Sequence, residues 1–95
     1  LKDEKRHYEN NLKYQNYIIT EPRSIESWNQ TAISTLILEC QRQNKRKVLL
    51  VFFCDSAAQV ATLTSTDRLA KMEELYKDLS DFYNIQIEME FLRYQ

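Results

Sequence analysis

The sequence predicts a small α/β domain, a mostly parallel sheet flanked by helices. Three observations predict it. Lys47-Val-Leu-Leu-Val-Phe-Phe-Cys-Asp55 is an apolar run without alternation, the pattern of a central strand covered on both faces. A segment of helical periodicity stands on each side of that run. The resulting order, strand, helix, strand, helix, strand, implies parallel strands joined by right-handed crossovers.

Taken in order, residues 1–13 are charged and weakly patterned. They read as a short or frayed helical lead-in, or as an arm that folds on a partner, and residues 14–95 form the single domain. Tyr14 to Thr20 is rich in aromatic and β-branched residues and is expected to be a strand. Pro22 breaks it. Ser24 can cap the next helix, with Glu26 in its favourable first turn. Ile25, Trp28, Ala32, Ile33, Leu36, Ile37 and Cys40 share one face of that helix, and Asn44 can end it in a left-handed conformation. The strand Val48 to Phe53 follows. Residues 56–64 fit either a short helix or a loop with a strand. Thr66 can cap a second helix with Leu69, Met72, Leu75, Tyr76, Leu79, Phe82 and Tyr83 on one face, closed by Asn84. Ile85 to Phe91 alternates strictly, which points Ile85, Ile87, Met89 and Phe91 inward.

Composition narrows the function. Ninety-five residues lie at the small end for a self-sufficient core. Thirteen basic and fourteen acidic side chains nearly cancel, so no overall basic field drives nucleic-acid binding. The local cluster Arg42, Lys45, Arg46 and Lys47 reads as a helix end complementing its dipole. Glycine is absent, which removes every Gly-rich phosphate cradle and disfavours helix-hairpin-helix modules. Cys40 and Cys54 read as small core hydrophobes, and with a lone His7 neither a metal site nor a disulfide is expected. No apolar run approaches the roughly 18 residues that cross a bilayer, and no signal peptide is recognisable, so an intracellular location is expected. A start without Met suggests a piece of a longer protein.

Two chemistries are conceivable. Cys54 at a strand end is a nucleophile only with a nearby base and an electropositive setting, and His7 lies far away in the lead-in. Metal-dependent phosphodiester cleavage needs carboxylates converging on a hard cation. Glu21, Glu26 and Asp55 lie at element ends that can meet, although caps and surface solubility are the commoner reason for such residues. Tyr76, Phe82 and Tyr83 on the second helix read as core or as a protein interface. Phe91-Leu-Arg-Tyr94 adds apolar area that a small domain has little interior to hide.

Over Tyr14 to Asp55 the chain resembles the nuclease domain of the XPF family of structure-specific endonucleases. That family carries G-D-Y-I-L-T, then E-R-K-S-I-S-D-L, a helix, and a strand of the form K-R-P-V-L-L-I-E-F-D. The counterparts here are Gln15-Asn16-Tyr17-Ile18-Ile19-Thr20, Glu21-Pro22-Arg23-Ser24-Ile25-Glu26-Ser27-Trp28, and Lys45-Arg46-Lys47-Val48-Leu49-Leu50-Val51-Phe52-Phe53. The loop between Thr20 and Glu21 is shorter than the family's. Asn16 stands where the family has its first catalytic Asp, Pro22 and Arg23 replace Arg-Lys, and Ser27 replaces the last Asp. Only Glu21 keeps its identity.

The resemblance implies a restriction-nuclease-like fold with a degenerate site at Asn16, Glu21, Arg23 and Ser27. Such a site holds no metal and needs no cofactor, because hard cations depend on anionic oxygens. It further implies a pseudo-nuclease resembling the meiotic crossover-promoting XPF-like pairs. Such a chain forms a heterodimer with a partner of related fold, meets branched DNA through the complex, and serves recombination or repair in the nucleus. No membrane or small-molecule substrate is implied. Tyr83, Phe91 and Tyr94 are the expected interface anchors. Two readings stay open beside it: an unrelated α/β interaction scaffold, and an active nuclease using Glu21, Glu26 and Asp55.

Overall fold

The computed structural model describes residues 2–24, 27–54 and 67–93. The elements are α1 (Lys2–Glu9), a 3-10 turn (Leu12–Tyr14), β1 (Tyr17–Ile19), α2 (Gln30–Arg42), β2 (Lys47–Cys54), α3 (Asp67–Tyr83) and β3 (Gln86–Arg93). The sheet runs β1-β2-β3 with both pairings parallel, so the apolar strand is central. Its register sets Tyr17 beside Lys47 and Ile19 beside Leu49, then Lys47 beside Gln86 and Cys54 beside Arg93. Val48, Leu49, Leu50, Val51 and Phe52 are all buried, which is why this strand carries no alternation.

The two faces of β2 feed two cores. Val48, Leu50 and Phe52 pack under Ile33, Ile37 and Cys40 of α2 and Tyr76 of α3. Leu49 and Val51 on the reverse face join Ile19 beneath Tyr8, Tyr14 and Tyr17. The three tyrosines meet edge to face, Tyr8 on Tyr14 at 5.3 Å and Tyr14 on Tyr17 at 5.1 Å between ring centres. Helix α1 therefore covers the second face of the sheet.

Both long helices end the same way. After α2, Asn44 takes φ 56°, Lys45 N–H donates to the Cys40 carbonyl at 2.8 Å and Asn44 N–H to that of Gln41 at 3.3 Å. After α3, Asn84 takes φ 55° and Ile85 N–H donates to the Ser80 carbonyl at 3.1 Å. These are Schellman closures with Asn at the left-handed position, in a chain that has no Gly to place there. Each turns its helix straight into a strand at the same end of the sheet.

Several expectations need correction. The first strand is shorter than Tyr14 to Thr20, because Tyr14 belongs to the 3-10 turn and Thr20 lies beyond β1. Helix α2 starts at Gln30, capped by the Asn29 side chain accepting from Ala32 N–H at 2.9 Å, and not at Ser24. Arg23 still bridges Phe52 in a parallel sense, which holds the backbone extended where that helix was expected to begin. Trp28 is buried ahead of the helix, not on its first turns. Phe82 lies 80% exposed instead of inward. Tyr76 faces the core, and seven residues on, Tyr83 returns to within about 20° of its direction, whereas Phe82 points about 120° away. Ile25 and Glu26, Asp55 with residues 56–64 and Thr66, and Tyr94 lie outside the described residues. No helix among the described residues is long and apolar enough to cross a membrane.

Candidate functional site

The segment leaving β1 carries three of the four degenerate motif positions. Thr20 donates its N–H to the Leu49 carbonyl at 3.1 Å, and its buried hydroxyl accepts from Val51 N–H at 2.9 Å. Arg23 continues along β2, donating to the Val51 carbonyl at 3.2 Å and accepting from Phe53 N–H at 3.0 Å. The Trp28 indole closes the segment by donating to that same Val51 carbonyl at 3.3 Å. These bonds hold the segment against β2.

The side chains at the motif positions are occupied in the same way. Glu21 is exposed and paired with Lys5 of α1 at 3.3 Å. A cation from the helix thus stands by that carboxylate. The Arg23 guanidinium lies 4.6 Å above the Trp28 ring, a cation–π contact. Ser27 shares a hydrogen bond with Ser24 at 2.9 Å between hydroxyls. Asn16 is elsewhere. It precedes β1 at the amino edge of the sheet, beside Lys45, Arg46 and Lys47. Four residues, three of them in β1, separate it from Glu21, roughly 16 Å of chain. The structure brings Glu21, Arg23 and Ser27 to one end of β1 and leaves Asn16 at the other. Among the described residues no three His, Cys, Asp or Glu side chains group as a metal site would require.

Of the anticipated interface residues, Tyr83 and Phe91 lie on the α3 and β3 side of the first core. Tyr83 is half-buried against the core, with its ring edge to face with Phe82 at 4.8 Å. Phe91 is 36% exposed and stacks on the buried Phe52 ring, centres 5.1 Å apart and planes inclined by 18°. Between them the inward side chains of β3, Ile87 and Met89, are only half-buried, as are Met72, Leu75 and Leu79 of α3. On α2, Ile33, Ile37 and Cys40 are buried with Ala32 and Leu36 half-buried, and on the other side Tyr76 and Ile85 are buried. Half-buried apolar side chains thus follow part of α3, from Met72 to Tyr83, and part of β3, from Ile87 to Met89. Alternation identified the inward residues of β3, but only the tertiary structure shows that Ile87 and Met89 are half-buried.

Two titrating groups mark how the edges are tied. A hydrogen bond to the Glu88 carboxylate holds the Tyr17 phenol above its usual range, with desolvation adding to it. Desolvation pushes the Cys40 thiol up to about 11, which suits an inert core residue and not a nucleophile. No protein-family model, curated protein or solved structure matches this chain.

Proposed function

We propose that the domain is a non-catalytic, XPF-like module that forms a heterodimer within a protein acting on branched DNA in recombination or repair. The observation that carries the reading is the row of half-buried apolar side chains along α3 and β3, ending at Tyr83 and Phe91. Tyr83 and Phe91 both belong to it, and a small domain gains most by covering such area with a partner. The motif positions support the non-catalytic part. Asn16 and Ser27 carry no charge, Asn16 stands a strand's length from Glu21, and Glu21 faces Lys5. A hard cation needs several anionic oxygens converging on it. The kind of partner, a chain of related fold, and the nuclear setting follow from the family resemblance.

Lys71 and Lys77 are exposed on α3 and provide amine handles beside that row. Capture of the full-length protein from its native cells, followed by amine cross-linking and mass spectrometry, tests the assignment. The expected result is a single partner chain of related α/β fold cross-linked to Lys71 or Lys77. A protein that sediments as a monomer, or cross-links to its partner only through other surfaces, overturns it. Calorimetric titration of the domain with Mn²⁺ is expected to show no micromolar binding. Binding abolished by Glu21→Ala would revive the nuclease alternative.

A further inference from the structure

A second feature lies at the amino end of the sheet. The two Schellman turns bring Asn44 and Asn84 here, and both line one cleft with Arg46. The Arg46 backbone is fixed by Gln86 N–H, which donates to its carbonyl at 2.7 Å. Clefts of about 460, 360 and 380 Å³ adjoin one another at this end, because Arg46 lines all three. Asn16, Gln43, Asn44, Asn84 and Gln86 supply side-chain amides to their walls. Arg46 and these five residues are all exposed.

The Arg46 side chain is not needed to close either helix. At the end of α2 the carbonyls of Glu39, Cys40 and Gln41 accept from the N–H groups of Gln43, Lys45 and Asn44. At the end of α3 the Ser80 carbonyl accepts from Ile85 N–H. The other cations of the cluster are engaged. Arg42 pairs with Glu39, Lys45 donates to the Gln15 carbonyl at 3.0 Å, and Lys47 lies over the Tyr17 ring at 5.3 Å. Among the described residues the Arg46 guanidinium makes no ion pair, hydrogen bond or ring contact. This end of the sheet thus offers one uncommitted cation among amides, with Asp81 as the acidic residue lining the clefts.

We propose that this end of the sheet docks an extended segment of another protein, with one Asp or Glu side chain seated on Arg46. The flanking Asn and Gln amides take the backbone of that segment. A guanidinium holds a carboxylate through two parallel N–H···O bonds. Each Asn or Gln side chain offers a carbonyl and an NH₂ group together, which matches the N–H and C=O of an extended peptide. From β1 to β3 is two strand spacings, about 10 Å, a distance that about three extended residues cross. A continuous polyanion fits less well. It needs a row of uncommitted cations, whereas Arg46 stands alone here and Asp81 repels a second negative charge.

Panning a phage-displayed library of random dodecapeptides against the immobilised full-length protein tests this. The expected result is enrichment of sequences that share one Asp or Glu at a fixed position. Fluorescence anisotropy of a labelled selected peptide should show binding weakened about tenfold or more by Arg46→Glu. Asn16→Ala should weaken it about threefold or more, the loss of one hydrogen bond. Lys71→Glu, the same charge change on the exposed face of α3, should have an effect under about twofold. A peptide with Lys in place of its shared acid should bind Arg46→Glu more tightly than it binds the parent protein. That exchange separates a direct ion pair from a loss of fold. Panning that enriches nothing, enriched sequences without a fixed acid, or a peptide that binds Arg46→Glu as it binds the parent overturns the proposal. Oligo-dT that binds more tightly than the selected peptide, and loses that binding in Arg46→Glu, also overturns it. Cross-linking through Lys71 and Lys77 tests the heterodimer separately.

Discussion

Replacing Thr20 by Val removes one hydroxyl and keeps the side-chain shape, which isolates a single buried polar contact. Beyond Ile19 the β1 ladder gives way to the Thr20 side chain, whose Oγ1 accepts from Val51 N–H at 2.9 Å and donates to the Leu49 carbonyl at 3.3 Å. Val51 is fully buried, so its N–H has no water to turn to. Leu49 keeps the Thr20 N–H as a donor at 3.1 Å, so its carbonyl is not orphaned. The cost is therefore one unsatisfied buried donor, about 1–3 kcal/mol. The added methyl group offsets at most about 0.8 kcal/mol of that. A net loss of about 1.5 kcal/mol lowers the melting temperature of a domain this size by about 6–12 °C. Differential scanning calorimetry measures the shift, and amide exchange at Val51 should lose protection beyond the global change. A Thr20→Val variant that melts at or above the parent temperature refutes this account of how the segment after β1 is held.

Three further outcomes are expected. Tyr76 is buried and donates its hydroxyl to the Trp28 carbonyl at 3.2 Å, and desolvation raises it from 10.0 to about 12. The neutral form is the one the fold accommodates, so its contribution is intact below pH 10 and is lost as pH rises through about 12. Absorbance titration at alkaline pH should therefore show a late-titrating component that shrinks by one tyrosine in Tyr76→Phe, and a titration unchanged by that substitution contradicts the assignment. Cys40 should resist alkylation at pH 8 in the native protein and react once urea unfolds it, with mass mapping to assign the site; rapid native labelling would mean that the α2 face opens. Phe91→Asp should release the partner while leaving the isolated domain's circular dichroism nearly unchanged, since its stack on Phe52 is worth about 0.5–1.5 kcal/mol beyond burial; a partner retained at wild-type affinity removes Phe91 from the interface.

The sequence alone determined what depends on near neighbours. An apolar run from Val48 to Phe53 has no solvent face to offer, so it had to be the central strand, and it is. Asn44 and Asn84 end their helices as expected because the left-handed turn is a local preference. Cys40 falls in the core because its helical phase with Ile33 and Ile37 puts it there.

Tertiary structure decided whatever depends on distant partners. Ser24 has a sound capping side chain, yet the helix waits for Asn29, because Arg23 first finds a strand partner in Phe52. Phe82 fits a broad apolar arc, and only the commitment of Tyr76 to the Trp28 carbonyl turns it outward. Asn16 and Glu21 are five residues apart in a motif, but an extended β1 holds them at opposite edges. Local propensity fixes how each segment wants to fold. Which face it buries, and what stands beside it, is set by contacts that sequence neighbours do not make.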